Sequence, residues 1–333
     1  MNPDVRFGVG AIGELGEVLD DLGARRALLV TTPRGASEAD RLPVAAVYAG
    51  VRRHSPADTV AEIAKEARAE GADALVGFGG GSAMDTTKAA SVDTGLPFVA
   101  VPTTYAGAEW TPYYGLLDEA SGTKSGGGGA ELRAVVYDPQ LTLTLPRDET
   151  AGTALNALAH CAEALYVQGT NDRAQRHAFT GARAIAYALP LVLDRPAGLY
   201  GRTRLLEGAM RAGRALGTSG LALGHALAQA VGARYGLPHG ALNAICLPAA
   251  LRFNAPVAPH ALEVLADAMS TDDPIARVEE LARLGGFTGL RDLGVPADEL
   301  DEVAALAAAR PGARANPRPV TAADAEELLR SVW

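Results

Sequence analysis

Residues 73–88 read DALVGFGGGSAMDTTK, and this stretch decides the fold. An apolar run, Asp73–Phe78, passes through Gly79, Gly80, Gly81 and Ser82 into a helix-compatible segment, Ala83–Ala90, that carries Asp85 and Lys88. A buried strand turning through glycines into a helix is the first half of a βαβ unit. Glycines let backbone N–H groups approach a pyrophosphate, and the positive end of the helix points at it. The spacing is neither GxGxxG nor GxxxxGK[ST], so kinase and GTPase readings lose support.

The neighbouring segments extend the same pattern. Ala27–Thr31 (ALLVT) is a buried-strand run ending at Pro33 and Gly35, and Val44–Tyr48 is a second candidate strand. Thr59–Glu70 has apolar residues at helical spacing, and Phe98–Val101 ends at Pro102. Strands alternating with helix-length segments predict a parallel sheet with helices on both faces. Thr103 and Thr104 follow the last of these strands, at the carboxyl end where ligands gather in such sheets. After Tyr137-Asp138-Pro139 the character changes to long Ala- and Leu-rich segments, Thr150–Gln168, Ala174–Ala188, Arg202–Leu216, Ser219–Tyr235 and Ala241–Phe253. These predict an all-α second domain, with residues 1–148 forming the α/β domain and 149–333 the helical one. Gly126–Gly129 is the one low-complexity run and reads as a flexible loop.

The chain has 333 residues, long enough for two domains, and its 48% hydrophobic and 21% charged residues exclude a disordered chain. Two cysteines exclude a disulfide scaffold. A net charge of −9 argues against a nucleic-acid or anionic-membrane partner. The start MNPDVRFGVG has acidic and glycine residues where a secretion signal would need a basic start and an apolar run, so none is expected, and no apolar stretch approaches the roughly 18–20 residues that span a bilayer. A soluble, cytoplasmic protein is expected.

Of six histidines, three have informative neighbours. Asn156 and His160 stand four apart in NALAH, on one helix face, and His225 precedes Gln229 by four in GHALAQ. His239 follows Pro238 at a turn.

Together, Gly79–Lys88, Pro102–Thr104 and the series Asn156, His160, His225, His239 resemble the iron-containing (group III) alcohol dehydrogenase family. The stretches VPTTYAGAEWTPYYGL, ALNALAHCAEALY and Asn316-Pro317-Arg318-Pro319 resemble its maleylacetate reductase branch most closely. The resemblance runs from about Phe7 to the end of the chain. It implies an NAD(P)-binding α/β domain, a helical catalytic domain and a cleft between them. It also implies cofactor contacts from Gly79, Gly80, Gly81, Ser82, Thr103, Thr104 and Lys124, and metal-ligand positions at His160, His225 and His239.

Departures from the family sharpen the expectation. Metal-dependent members carry Asp where this chain has Asn156, and an amide oxygen offers a dipole in place of a charge. Weak metal binding or none is expected, as the resemblance to the maleylacetate reductase branch also implies. The alternatives are zinc held by the three histidines, which such sites allow, and a nucleotide-binding protein without catalysis. Gln229 stands where the family usually has histidine, and it cannot exchange a proton near neutral pH. Thr32 replaces the acidic residue of NAD-specific relatives; with Arg34 nearby, NADH or NADPH is expected as cofactor. The expected reaction is hydride transfer to a carbonyl-conjugated small carboxylic acid, with Asn156, His160, His225, His239 and Gln229 at the site. Tyr105, Tyr113 and Tyr114 are further candidate donors, and a homodimer is the expected assembly.

Overall fold

The computed structural model describes residues 3–53, 55–118 and 123–333, with the side chains of residues 118 and 123–125 left aside. The chain divides into two compact units, one of residues 1–104 with 108–144, the other of residues 105–107 with 145–333.

The first unit contains β1 (Asp4–Phe7), α1 (Leu15–Asp21), β2 (Ala27–Thr31), β3 (Ala46–Tyr48), α2 (Ala57–Glu70), β4 (Ala74–Gly79), α3 (Gly81–Thr94) and β5 (Phe98–Pro102). It continues with β6 (Tyr114–Asp118), β7 (Thr123–Gly127) and β8 (Leu132–Tyr137). Six strands form one parallel sheet in the order β1-β8-β5-β4-β2-β3. Every residue of β2, β4 and β5 is buried. That is why they read as continuous apolar runs, since both faces of a parallel sheet are covered. Alternate residues sort the faces. Leu29, Val76, Phe78, Val99, Val101, Ala134 and Val136 share a core with Leu15, Val18 and Leu19 of α1, while α3 packs on β4 and β5.

The expected loop at Gly126–Gly129 is corrected in part. Gly126 and Gly127 belong to β7, paired antiparallel with β6, and the Tyr114 ring fills the space where a Cβ of Gly127 would stand. A glycine in a strand thus makes room for a cross-strand aromatic ring.

Asp85 and Lys88 have structural work in this unit. The Lys88 ammonium, 1% exposed, pairs with Asp85 Oδ1 at 2.8 Å and donates to the carbonyls of Ala108, at 3.0 Å, and Tyr113. Asp85 Oδ2 accepts from Gly115 N at 3.2 Å. The pair ties the segment after β5 to α3. Beside it Glu109 is buried, accepting from the Tyr137 hydroxyl, and burial pushes its carboxyl above the usual range.

The second unit is helical: α4 (Arg147–Ala164), α5 (Asp172–Asp194), α6 (Leu199–Ser219), α7 (Leu223–Tyr235), α8 (His239–Asn254), α9 (Pro259–Met269), α10 (Pro274–Leu284), α11 (Leu300–Ala308), α12 (Pro311–Arg314) and α13 (Ala322–Ser331). α4 is buried on nearly all sides, with α5, α6 and α8 against it. At Gly152 and Gly240 the backbones of α4 and α8 meet so closely that a Cβ on Gly240 would strike the Gly152 carbonyl. A second core joins Leu227 and Val231 of α7, Leu242 and Cys246 of α8, Val303 and Ala307 of α11 and Leu329 of α13. Asn254 and Asn316 exchange two side-chain hydrogen bonds of 2.8 Å inside it, fixing the segment Asn316–Pro319. No helix among the described residues is long and apolar enough to cross a membrane.

On α5, burial and then the charges of Arg211, Arg214, Arg173 and Arg176 push His177 down to about 4. An unfolded histidine binds its proton near 6.5, so the unfolded chain protonates first as pH falls. This contribution to stability is intact above about pH 6.5 and is lost progressively between there and about 4. His177→Gln is expected to flatten that part of a plot of Tm against pH; an unchanged slope contradicts the assignment.

Candidate active site

In the α/β unit, the turn from β4 to α3 and the turn after β5 are built against each other. Gly79 pairs in register with Pro102, and Thr103 N donates to the Gly79 carbonyl at 2.9 Å. Gly79 has φ +146°, open to glycine and strained for other residues. A Cβ on Gly80 would stand 2.8 Å from Thr104 Cγ2, so Thr104 lies directly on Gly80. A Cβ on Gly81 would meet no protein atom within 4 Å. No side chain caps the first turn of α3, so its orphan N–H groups stay available to an anion. These residues fit a pyrophosphate: glycine at position 81 has no packing reason of its own.

Thr32, partly exposed, directly follows β2, and its hydroxyl accepts from Gly35 N at 3.3 Å. Arg34 is exposed and donates to the Thr144 carbonyl. Lys124 lies in β7, and its side chain is outside the described residues.

In the helical unit, the structure brings Asn156, His160, His225 and His239 together. The rings of His160 and His225 stack at 4.7 Å with a 16° tilt, and His239 stands 5.8 Å from His225. α4 supplies Asn156 and His160 from one face, α7 supplies His225 in its first turn, and α8 begins at His239.

Two residues that the sequence reading missed organise this cluster. Glu163, fully buried, accepts from His225 Nδ1 at 2.8 Å and from the backbone N–H groups of Ala222 at 2.7 Å and His225 at 3.0 Å. It caps α7 from a neighbouring helix, an anion placed at a helix N-terminus. A Cβ on Gly224 would stand 2.9 Å from Glu163 Oε1, so glycine there lets the carboxyl group in. With the Nδ1 proton on Glu163, His225 turns Nε2 inward; that atom is buried and has no partner in the protein. Asn243, also fully buried, donates from Nδ2 to Asn156 Oδ1 at 2.8 Å and lies 2.9 Å from His239 Nε2. Asn156 Nδ2 in turn donates to the Ala106 carbonyl at 3.3 Å. The only sequence signals for these two were spacings, three after His160 and four after His239.

His160 is buried, its Nδ1 without a partner. Burial, and then the neighbouring charges of His225 and His239, hold it well below the usual histidine range. It is therefore a neutral imidazole at physiological pH.

The donor set can be tested against a divalent ion. Asn156 Oδ1 and His239 Nε2 both face the Asn243 amide, and the carboxyl group of the cluster, Glu163, lies on the far nitrogen of His225. Among the described residues, no group of three or more His, Cys, Asp or Glu is placed to hold a metal.

The other expected donors divide. Tyr105 is buried and its hydroxyl accepts from Arg202 Nη1 at 3.1 Å, a packing role; Tyr113 is exposed and Tyr114 packs in the β6–β7 hairpin. Gln229 lies half-buried one turn after His225, with Oε1 3.4 Å from Arg310 Nη1.

Comparison with known proteins follows the same lines. Residues 2–139 match the iron-containing alcohol dehydrogenase model and residues 150–333 match the C-terminal model of the Fe-containing alcohol dehydrogenase family. A maleylacetate reductase from Burkholderia cepacia is 37% identical over 327 residues, 96% of this chain and 92% of the relative. The crystal structure of maleylacetate reductase from Agrobacterium tumefaciens superposes with a TM-score of 0.93 at 34% identity, covering 99% of this chain and 96% of the other. An iron-containing alcohol dehydrogenase from Corynebacterium glutamicum gives 0.94 at 30% identity, covering 100% and 95%.

The glycine turn yields a paired prediction. Gly81→Ala is expected to keep the Tm of the parent while raising the NADPH dissociation constant at least tenfold, measured by fluorescence titration. Gly80→Ala is expected to lower stability by about 1–3 kcal/mol, because Thr104 must give way. Equal NADPH affinity in Gly81→Ala would remove this turn from the cofactor site.

Proposed function

The chain belongs to the iron-containing alcohol dehydrogenase family and is an NAD(P)H-dependent oxidoreductase; from that premise we propose that it reduces a carbonyl-conjugated small carboxylic acid without a bound metal. Maleylacetate, reduced to 3-oxoadipate, is the proposed substrate. Residues 1–148 are assigned to cofactor binding and 149–333 to the chemistry. The glycine turn, Thr32, Thr103, Thr104 and Lys124 serve the cofactor, and Thr32 with Arg34 admits NADPH as well as NADH.

One observation carries the reading: a cluster of imidazoles and amides in which Asn156, His160, His225 and Asn243 are buried and His239 is exposed, with Asn156 in the ligand position and the Asn243 amide donating to it. When bound, the nicotinamide supplies a hydride to the alkene carbon distal to the ketone. The alkene electron pair moves toward the carbonyl, leaving enolate charge on oxygen. That charge needs donors in a site that excludes water. His225 is the donor of choice: Glu163 orients its ring through Nδ1, and with both nitrogens protonated Nε2–H donates to the enolate oxygen and then gives up its proton, leaving the ring neutral. The proton that completes the reduction goes to the carbon next to the ketone. Asn156 and His239 position the substrate, and neutral His160 stacks on His225 and holds its ring plane.

A second reading has one observation in its favour. A carboxylate on the far nitrogen of a histidine, as Glu163 is on His225, also occurs behind metal ligands. Chelation separates the two. The metal-stripped protein is expected to oxidise NADPH with maleylacetate at an undiminished rate, followed at the nicotinamide absorbance. Loss of turnover on chelation and its return with zinc or iron would establish the metal-dependent reading instead.

A further inference from the structure

Arg310 stands between α11 and α12, and its guanidinium reaches α7. Nη1 donates to Gln229 Oε1 at 3.4 Å and Nη2 to the Gln229 backbone carbonyl at 3.1 Å. Nε is buried and has no hydrogen-bond partner. Both contacts are to neutral oxygens, and among the described residues no carboxylate stands within ion-pair range of this cation. Arg234, on the same helix, shows the ordinary alternative: it pairs with Glu299 at 3.0 Å and Glu302 at 3.5 Å. A guanidinium has five N–H donors in a rigid fork suited to a carboxylate, and Arg310 uses two of them on single acceptors. Half-buried without a counter-charge, it is destabilised by desolvation, which pulls its proton affinity down.

Its position gives this cation a purpose. Gln229 lies one turn after His225, and side chains on a helix lean toward its N-terminus, so Gln229 leans toward the turn that bears His225. Arg310 is held there by a side chain that stays neutral at every pH. A histidine in that place, when protonated, would repel it. The departure at 229 and the unpaired guanidinium are therefore two halves of one arrangement.

We propose that Arg310, positioned by Gln229, is the residue that receives a carboxylate of the acidic substrate at the histidine site. The assignment rests on the reading of the protein as a reductase of a small carboxylic acid and names the residue that recognises the acid. The carboxylate takes up the Nη–H groups that Gln229 leaves over, supplying the counter-charge.

The test compares the parent with Arg310→Lys and Arg310→Met. Retained far-UV circular dichroism and NADPH affinity establish that the variants are folded. With NADPH, Arg310→Met is expected to raise KM for maleylacetate about 10–100-fold, the loss of a charge-assisted contact. The rise should exceed its effect on a neutral enone, 3-penten-2-one, by at least tenfold. Arg310→Lys, which keeps the charge and loses the fork, should fall between. Equal effects on acid and neutral enone would overturn the proposal. If the parent does not reduce maleylacetate, the substrate reading fails and calorimetry of adipate decides the Arg310 assignment alone. Adipate binding weakened at least tenfold in Arg310→Met supports it; equal binding, or none to the parent, overturns it.

Discussion

The contact between the Glu163 carboxyl group and His225 sets the conditions for the whole helical site. A carboxylate with no solvent exposure is costly to bury, and it persists because three N–H groups converge on it. Two of those belong to the start of α7, so one side chain both begins that helix and fixes the ring of its third residue. Gly224 is small so that this approach is possible. From there the arrangement propagates: His225 presents Nε2, His160 stacks on it, and the glycine contact of α4 with α8 brings Asn243 onto Asn156.

The proposed metal-free chemistry follows from the same contacts. A divalent ion calls for convergent lone pairs and negative charge. Here the amide of Asn243 faces the oxygen of Asn156 and the nitrogen of His239, so those two atoms are already engaged. Such a cluster suits a substrate that develops negative charge on oxygen. Arg310 adds the recognition of a carboxylate, and Gln229 holds it without competing for charge.

Much of the fold was legible because burial writes itself into apolar runs. Ala27–Thr31 is a strand with the bounds its sequence suggested, and β4 and β5 end within one residue of expectation. The run at 126–127 misled because glycine in a strand has no propensity signal; only the Tyr114 ring across the hairpin explains it. The histidines and Asn156 were legible as a pattern, and their meeting was implied by resemblance. Glu163 and Asn243 were invisible as partners, since each acts across a helix interface 62 or 87 residues away. Arg310 had no local signal at all, being 81 residues from Gln229. Asp85 and Lys88, part of the motif that carried the resemblance, form an ion pair that anchors a loop.

Everything at the helical site turns on the state of one ring, and nitrogen-15 NMR of the histidine side chains reads it directly, with His225 assigned through its loss in His225→Gln. His225 is expected to carry a proton on Nδ1, toward Glu163, with nitrogen shifts that are the same before and after exhaustive chelation. A neutral ring protonated on Nε2 alone, or an Nε2 signal that moves when metal is removed, would contradict it.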